Sequence, residues 1–315
     1  MAEVMEPVLK VEKVNKRFGS FNALTDLTFS VEAGHVFGMV GENGSGKSTA
    51  LRIVVGLERA DSGSISICGM DASEHPTEIY HYIGYVPDSF GLYENLLVQE
   101  YMTFFAEASG LEGYLARRRI SHALEMVGLS GREGLYVDYL SSSMKQRLCI
   151  ARAMLNYPRL LILDDPMKGI DLKNRFELRD MIRELSAQGT TILISSHMIT
   201  ELTEFCTDLG IMAGGTMKEQ GSMEHFLKQS RMNRPLKIRV SGMADQAVGV
   251  LDRLEPVHAV TVDNNQLRVI ADNTTEAETM ILSELVREGV PVVSFLREDE
   301  NFEAFIKRKT GGDIG

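Results

Sequence analysis

The residues from Gly41 to Thr49 constrain this chain more than any other segment. They read Gly-Glu-Asn-Gly-Ser-Gly-Lys-Ser-Thr, directly after an apolar run from Val36 to Val40 that has the composition of a buried strand. In this setting glycines let backbone N–H groups turn toward phosphate oxygens, while Lys47 supplies a positive charge and the Ser48 hydroxyl ligates Mg²⁺. Residues 50–57 have helical periodicity, and a helix N-terminus favours the same anion. The segment therefore predicts a loop that binds a nucleoside triphosphate, because a flexible linker is not expected between a strand and a helix.

The composition is that of an ordinary globular protein and argues against several classes of function. A length of 315 residues is enough for two domains. The hydrophobic residues make up 44% and the charged residues 24%, which are ordinary values for a globular protein. The net charge of −11 argues against a nucleic-acid surface, because phosphate backbones are bound by clustered Lys and Arg. The three cysteines lie far apart in apolar sequence, which predicts buried thiols in a reducing compartment. No run approaches the roughly 18 apolar residues that span a bilayer, so we expect any membrane role to depend on a partner chain.

The first domain is predicted to cover residues 1–230 and to mix strands with helices. Alternating residues near the N-terminus indicate short antiparallel strands, and the stretch around 90–150 reads as a helical subdomain. The apolar runs Leu160 to Leu163 and Thr191 to Ile194 are typical of parallel strands buried on both faces. A helix predicted over 174–188 joins them into a βαβ unit.

The second domain is predicted to cover residues 231–315, after a polar linker from Gln229 to Pro235. Its elements are expected in the order βαββαβ, which suggests a small ferredoxin-like α+β sandwich. It has no His/Cys/Asp cluster and no Gly-rich loop, so a regulatory or dimer-contact role is favoured over a catalytic one. The predicted strands are 236–240, 257–262, 266–271 and 290–296, and the predicted helices are 244–255, 275–288 and 301–309.

Asp164 supplies the second part that a phosphate loop requires. It follows the strand from Leu160 to Leu163, where a carboxylate can hold Mg²⁺ opposite the loop hydroxyl of Ser48. With these motifs in order over residues 9–230, the chain resembles the ATP-binding subunits of ABC transporters. The resemblance implies a P-loop NTPase core, a mostly parallel sheet with flanking helices, preceded by an antiparallel β-subdomain. The second domain is similar, less specifically, to the C-terminal extension of drug, antibiotic-peptide and ion exporters, whose closing helix 301–307 matches.

The resemblance also implies roles for particular residues. Phe18 matches the aromatic residue on which the family stacks adenine, and His197 matches the switch histidine that hydrogen-bonds the γ-phosphate. Asp171 matches the loop that links the two nucleotide sites of a dimer. Nucleotide contacts are further implied for the loop residues Gly41, Asn43, Gly44, Ser45, Gly46, Lys47, Ser48 and Thr49.

The first departure from the family pattern is Asp165, which stands where most relatives have a glutamate that positions the attacking water. The side chain is one methylene shorter, which withdraws the carboxylate by more than about an ångström. Positioning of a general base typically contributes 10² to 10⁴ in rate, and small misplacements remove much of it. We therefore expect Asp165, with Lys47 and His197, to support slow hydrolysis.

The second departure lies in the family signature, Leu-Ser-Gly-Gly, which reads Leu140-Ser141-Ser142-Ser143 in this chain. In the family this segment contacts the γ-phosphate held by the other subunit of a dimer, from a helix N-terminus. Added Cβ atoms at 142 and 143 are expected to obstruct close approach or strain the backbone. Serine also caps helices and can donate to phosphate. We expect weakened closure of the dimer.

The third departure is Asp88, where the family has a glutamine that reaches Mg²⁺ and relays the nucleotide state to the permease. A carboxylate is shorter and adds negative charge, but it can still hold Mg²⁺, together with Ser48 and Asp164. Neutral drift in a working enzyme accounts for any one of these substitutions. The resemblance implies that all three lie at the γ-phosphate, which favours altered turnover.

The expected function is an energy-coupling subunit that binds MgATP, hydrolyses it slowly and drives export through a separate transmembrane permease. It would lie peripherally on the cytoplasmic, inner face of the cell membrane, as a homodimer or as a heterodimer with a second ATP-binding subunit. The alternative is an ATP-gated regulatory module with little or no hydrolysis. A soluble ABC protein of ribosomes or DNA repair is disfavoured by the single phosphate loop and the acidic charge. The sequence leaves the transported compound open.

Overall fold

The computed structural model describes residues 6–89, 91–93, 95–232, 234–297 and 302–310. Within them the chain forms two compact units. The first covers the described residues up to Met223 together with Lys309 and Thr310, and the second covers those from Glu224 to Arg308. The polar linker predicted over 229–235 is replaced up to Met232 by a helix, α8 (Met223–Met232). Polar residues on an amphipathic helix and polar residues in a linker look alike in a single sequence, which explains the difference.

The antiparallel part of the first unit is a four-stranded sheet in the order β2-β1-β4-β5. The two long strands β1 and β2 are joined by a two-residue turn, and β1 also pairs with β4. Their inward side chains are apolar and fully buried, as at Leu9, Val11 and Phe29. The strands are β1 (Leu9–Phe18), β2 (Phe21–Val31), β4 (Ser62–Ile67) and β5 (Met70–Asp71).

The central sheet of the first unit has six strands in the order β10-β9-β3-β8-β7-β6. The five from β9 to β6 run parallel, and β10 pairs antiparallel with β9 at the edge. The strands β3, β7 and β8 are buried along their whole length, which agrees with the apolar runs in the sequence. Their bounds are β3 (Val36–Val40), β6 (Ile83–Val86), β7 (Leu160–Asp164), β8 (Thr191–Ser196), β9 (Asp208–Ala213) and β10 (Thr216–Ser222).

Helices flank this sheet and build the predicted helical subdomain between residues 98 and 153. The helices α3, α4 and α5 contact one another there through buried faces. The helices of the unit are α1 (Lys47–Val54), α2 (Pro76–Ile79), α3 (Val98–Ala108), α4 (Gly113–Met126), α5 (Ser142–Ala153), α6 (Leu172–Ala187) and α7 (Ile199–Leu202).

The second unit contains a four-stranded antiparallel sheet in the order β12-β13-β11-β14. Numbered within the unit this order is 2-3-1-4, and with the βαββαβ succession it is the ferredoxin-like arrangement. Alternate residues of β11 join the core with Ile281 and Leu285 of α10. The elements are β11 (Leu236–Val240), α9 (Ala244–Leu251), β12 (Val257–Asp263), β13 (Gln266–Ala271), α10 (Thr275–Arg287), β14 (Val292–Arg297) and α11 (Phe302–Thr310). Asn301, predicted as the first residue of the closing helix, lies outside the described residues.

We expect Leu193→Ala to destabilise the first unit by about 2–5 kcal/mol, because its side chain in β8 is fully buried in the core and its loss leaves a cavity. The matched control is Leu172→Ala at the exposed start of α6, where a change within about 0.5 kcal/mol is expected. Urea unfolding followed by circular dichroism measures both. Equal effects of the two substitutions would contradict the assigned burial.

Candidate functional site

The phosphate loop connects the end of β3 to the start of α1. Its shape depends on glycine at two positions, since Gly44 and Gly46 have φ angles of 82° and 103°. A Cβ atom added at Gly46 would lie 2.8 Å from the backbone oxygen of Ala23, whereas one at Gly44 would meet nothing within 4 Å. The Ser45 hydroxyl is buried and has no hydrogen-bond partner among the described residues. An unpaired buried donor is costly, and a phosphate oxygen is a group that would satisfy it.

Lys47 begins α1 and turns its amine back onto the loop. Its Nζ donates hydrogen bonds to the backbone oxygens of Gly41, at 2.7 Å, and Glu42, at 3.0 Å. Burial lowers the pKa of Lys47, and the negative charges of Asp165 and Asp164 act against this effect. The amine therefore has carbonyl partners in this conformation and two carboxylates close by.

Asp164 ends β7 and forms the centre of a small polar cluster. Its Oδ1 accepts hydrogen bonds from the Ser48 hydroxyl, at 3.1 Å, and from the Ser195 hydroxyl on β8, at 2.6 Å. Burial raises the pKa of Asp164, while the two hydroxyl donors lower it. A hydroxyl and a carboxylate that meet beside a phosphate loop are oxygen ligands of the kind Mg²⁺ prefers, so Ser48 and Asp164 fit the metal that the sequence predicts.

Asp165 follows directly and lies in a constrained backbone conformation. Its φ of 45° is uncommon for a residue with a Cβ, although Asp tolerates this region better than most. The Asp165 N–H donates to the Ser195 hydroxyl at 2.9 Å and to the Ser195 backbone oxygen at 3.2 Å, which holds the residue against β8. Its Oδ1 is buried without a hydrogen-bond partner among the described residues. One oxygen of this carboxylate thus has no donor among the described residues.

His197 follows β8 and pairs with Asp165. Its Nδ1 lies 2.9 Å from Asp165 Oδ2. Because an ionised carboxylate only accepts hydrogen bonds, Nδ1 must carry the proton in this contact. The Nε2 atom then donates to a phosphate oxygen only when the imidazole is doubly protonated. The structure therefore brings together two of the residues predicted to act on the γ-phosphate, Asp165 and His197.

Asp88 follows β6, and its carboxylate is paired with an amine. Lys168 Nζ lies 3.4 Å from Asp88 Oδ2, and both side chains are partly exposed. Both residues line a cleft of about 250 Å³ in front of the phosphate loop. The residues that line this cleft are Phe21, Ala23, Asn43, Gly44, Gly46, Lys47, Ser48, Thr49, Asp88, Asp164, Asp165 and Lys168.

The aromatic residue predicted for adenine stacking has a neighbour that sequence reasoning missed. Phe18 ends β1 and pairs in register with Phe21 across the two-residue turn. Both rings are exposed, 47% for Phe18 and 61% for Phe21, and the Lys16 amine lies 5.0 Å from the centre of the Phe18 ring. Phe21 lines the cleft. The two-residue spacing in a hairpin was the available signal for it, since such a turn places both aromatic rings at one end of the ribbon.

Ser141 to Ser143 lie at the start of α5. The sequence analysis expected the Cβ atoms at 142 and 143 to obstruct approach of the other subunit or to strain the backbone. Ser142 and Ser143 have regular helical backbone conformations, so the expectation of backbone strain is wrong. Ser141 is the N-cap, and its hydroxyl accepts from the Met144 N–H at 3.3 Å. Its hydroxyl also lies 3.0 Å from that of Ser143, which is largely buried. The helical backbone at positions 142 and 143 accommodates a Cβ atom, and Ser141 supplies the cap in front of them.

Asp171 has a structural role that is visible in its contacts. It is the N-cap of α6, where its Oδ1 accepts from the Asn174 N–H at 3.2 Å and its Oδ2 from the Asn174 side-chain amide at 2.6 Å. These hydrogen bonds lower the pKa of Asp171. The residue that was predicted to link two nucleotide sites therefore also begins the helix after β7.

An ion pair joins α7, which follows β8, to the first turn of α6. Glu201 pairs with Arg175, and its other oxygen accepts from the Ser196 hydroxyl at 3.3 Å. Arg175 also donates from Nε to the Ile170 backbone oxygen at 2.7 Å. Burial raises the pKa of Glu201, and Arg175 opposes this. The loops that carry His197 and Asp171 are thus joined by one ion pair, which sequence spacing does not show.

A larger cavity, of about 650 Å³, lies at the other end of α1. Its walls are formed by the segment from Ile53 to Ala60 and by the region around Pro76 to Tyr80. Backbone and side-chain groups for phosphate and metal meet at the smaller cleft, which is therefore the candidate site. Among the described residues, no helix combines the length and apolar character needed to cross a membrane.

Comparison with known proteins agrees with this geometry. The family model described as ABC transporter matches residues 24–168. The bacitracin transport ATP-binding protein BcrA of Bacillus licheniformis is 32% identical over 314 residues, covering 99% of this chain and 100% of that protein. The linearmycin resistance ATP-binding protein LnrL of Bacillus subtilis (strain 168) is 29% identical over 306 residues, covering 96% of this chain and 98% of that protein.

Solved structures show the same relationship for the first unit. An ATP-binding subunit of an ABC transporter is 31% identical, with a TM-score of 0.63, and its match covers 70% of this chain and 92% of that one. A nucleotide-free ATP-binding cassette from an ABC transporter is 26% identical, with a TM-score of 0.65, over 71% of this chain and 94% of that one. The predicted P-loop NTPase fold is thereby confirmed. The chain belongs to the ABC transporter family, as one of its ATP-binding subunits.

Proposed function

We propose that this subunit binds MgATP in the cleft in front of the phosphate loop and hydrolyses it slowly to drive export through a separate permease. The observation that carries the proposal is the meeting of Lys47, Ser48 and Asp164 at the carboxyl edge of β3 and β7. Ser48 and Asp164 would hold Mg²⁺, which offsets negative charge on the phosphate oxygens when bound. Asp88 remains a predicted third oxygen ligand, and its present partner is Lys168.

The nucleotide would be positioned by groups at both ends of the cleft. The backbone of Gly41 to Thr49 and the Lys47 amine would bind the phosphates, and the Ser45 hydroxyl would gain the partner it lacks. Adenine would stack on the exposed ring of Phe18, with Phe21 as the neighbouring ring in the cleft. Across a dimer, Ser141 to Ser143 of one subunit and Asp171 would face the nucleotide held by the other.

Hydrolysis would depend on Asp165 and His197. Asp165 Oδ1 is buried and without a partner among the described residues, and it would accept a hydrogen bond from the attacking water. The contact between Asp165 Oδ2 and His197 Nδ1 fixes the carboxylate on its other side. Because Asp is one methylene shorter than the family glutamate, the water would sit farther from the γ-phosphate than in most relatives. This is the physical reason for the proposed slow turnover.

Export is supported by the names of relatives that match along nearly the whole chain. They include a bacitracin transport protein and a linearmycin resistance protein, and a third relative is named as a Nod factor export ATP-binding protein. We place the chain on the cytoplasmic face of the membrane, dimerised with itself or with a second ATP-binding subunit. The second unit would serve as a regulatory or dimer-contact domain.

Asp165→Glu is expected to raise kcat for ATP hydrolysis by about 10- to 100-fold, because the longer side chain moves the carboxylate toward the water. Asp165→Asn is expected to lower kcat below wild type, because an amide cannot act as the base. Steady-state phosphate release by the purified protein measures both, and KM for ATP separates turnover from binding.

The same two variants, Asp165→Glu and Asp165→Asn, also distinguish a transport ATPase from an ATP-gated regulatory module. Wild-type protein without measurable single-turnover hydrolysis, restored by Asp165→Glu, would favour the ATP-gated regulatory module. A kcat unchanged by Asp165→Glu would contradict the role of side-chain length. Thermal unfolding of each variant shows whether the fold is preserved.

The double substitution Ser142→Gly with Ser143→Gly is expected to strengthen ATP-dependent dimerisation about 3- to 10-fold, because two Cβ atoms are removed from the surface that meets the other subunit. Glycine in a helix costs about 0.5–1 kcal/mol per residue, so a small loss of stability is expected as well. Sedimentation velocity with MgATP in the Asp165→Asn background measures the association. Unchanged or weaker association would show that serine is compatible with closure.

The permease partner is tested by purification of the tagged protein from membranes of its native host in mild detergent. A multi-helix membrane protein is expected to co-purify in a fixed ratio, and mass spectrometry identifies it together with any second ATP-binding subunit. An otherwise identical preparation from cells that lack the tag controls for non-specific capture. Recovery without any membrane protein would count against the transport function.

A further inference from the structure

Lys168 is a cation in the cleft that the family resemblance did not assign. It lies in the turn between β7 and α6, three residues after Asp165, and its backbone N–H donates to the Asp165 backbone oxygen at 3.1 Å. Gly169, with a φ of 74°, follows it. The position of the Lys168 backbone is therefore tied to the residue proposed as the base.

The cleft contains more acidic than basic side chains. Asp88, Asp164 and Asp165 line it, together with the cations Lys47 and Lys168. The Lys47 amine is bound to its own loop, and the Lys168 amine lies 3.4 Å from Asp88. Asp88 stands where a neutral glutamine is expected, so it adds one negative charge to a site for a polyphosphate. Lys168 forms an ion pair with Asp88 and therefore offsets this added charge.

The ion pair between Lys168 and Asp88 is weak enough to rearrange. The side chains are 58% and 41% exposed, and exposed pairs of this kind contribute little to stability. A lysine amine on a flexible stem can leave one anion for another within its reach. A nucleoside triphosphate in this cleft presents phosphate oxygens with a higher charge than one carboxylate.

We propose that Lys168 is a nucleotide-binding residue which offsets the charge of Asp88 in the free protein and binds the terminal phosphate of ATP in the complex. This inference rests on the proposed function, because it assumes that ATP occupies the cleft. Asp88 and Lys168 then act as a unit, in which the lysine permits an acidic residue at a position where the family has a neutral one. The contact is expected with ATP and not with ADP, which lacks the terminal phosphate.

The test measures binding of a non-hydrolysable ATP analogue, adenylyl imidodiphosphate, and of ADP, both with Mg²⁺, by isothermal titration calorimetry. Lys168→Ser is expected to raise Kd for the ATP analogue about 5- to 10-fold, the size expected for one lost charge-assisted hydrogen bond at an exposed site. Its Kd for ADP is expected to change less than about twofold. Lys168→Arg keeps the charge and is expected to stay within about threefold of wild type.

The matched control is Lys173→Ser, at an exposed lysine five residues later on α6, which is expected to leave both affinities unchanged. In the Asp88→Gln background Lys168→Ser is expected to have a smaller effect, about threefold, because the repulsion is already removed and coupled residues are not additive. Circular dichroism melting establishes that each variant is folded.

Two results would overturn the inference. One is an ATP-analogue affinity of Lys168→Ser within twofold of the Lys173→Ser control. The other is an equal loss of affinity for the ATP analogue and ADP. Lys47→Ala separates this inference from the proposed function, since it is expected to abolish binding of both nucleotides. Wild-type protein that binds neither nucleotide would overturn the proposed function. The Lys168 inference alone would be overturned if wild type binds both nucleotides, Lys47→Ala binds neither, and Lys168→Ser keeps the affinity of wild type for the ATP analogue.

Discussion

The parallel pairing of β3, β8, β7 and β6 is the constraint on which the rest of the site depends. Parallel strands end at a common edge, and this register brings the residues that follow each strand together. The phosphate loop follows β3, His197 follows β8, Asp164 ends β7, and Asp88 follows β6. Segments far apart in the chain thus meet at one edge of the sheet. Burial of β3, β7 and β8 along their whole length fixes the strands and with them the positions of the residues that follow.

The charged groups at this edge of the sheet differ in how firmly the protein holds them. Asp164 is buried and held by the hydroxyls of Ser48 and Ser195, so its position is fixed before any ligand arrives. Asp88 and Lys168 are exposed and can exchange partners at small cost. Asp165 lies between these extremes, with one oxygen fixed by His197 and the other without a partner among the described residues. Under the proposed function, the fixed groups would bind Mg²⁺ and the phosphates, and the Asp88–Lys168 pair would rearrange when the terminal phosphate is present.

Sequence reasoning predicted the elements of the core well because their signals are local. The strands Val36–Val40, Leu236–Val240 and Gln266–Ala271 have the predicted bounds. The strands β9 and β10 were not predicted, and a helix replaced part of the predicted linker before Pro235. The Gly214-Gly215 pair between β9 and β10 was the available signal for this hairpin. The parallel pairing of β9 with β3 then places the hairpin in the central sheet.

By itself, the sequence determined that this chain has a phosphate loop after a buried strand and an aspartate at the end of a second one. It also displays Asp88, Ser142, Ser143 and Asp165 where the family resemblance implies other residues. Those properties depend on residue identity and short spacing, which a sequence displays directly. Only the tertiary structure decided that Asp165 contacts His197 and that Asp88 is paired with Lys168. These contacts join residues separated by up to 80 positions, as for Asp88 and Lys168. They depend on how the strands pair and where each loop leaves the sheet, which no local pattern records.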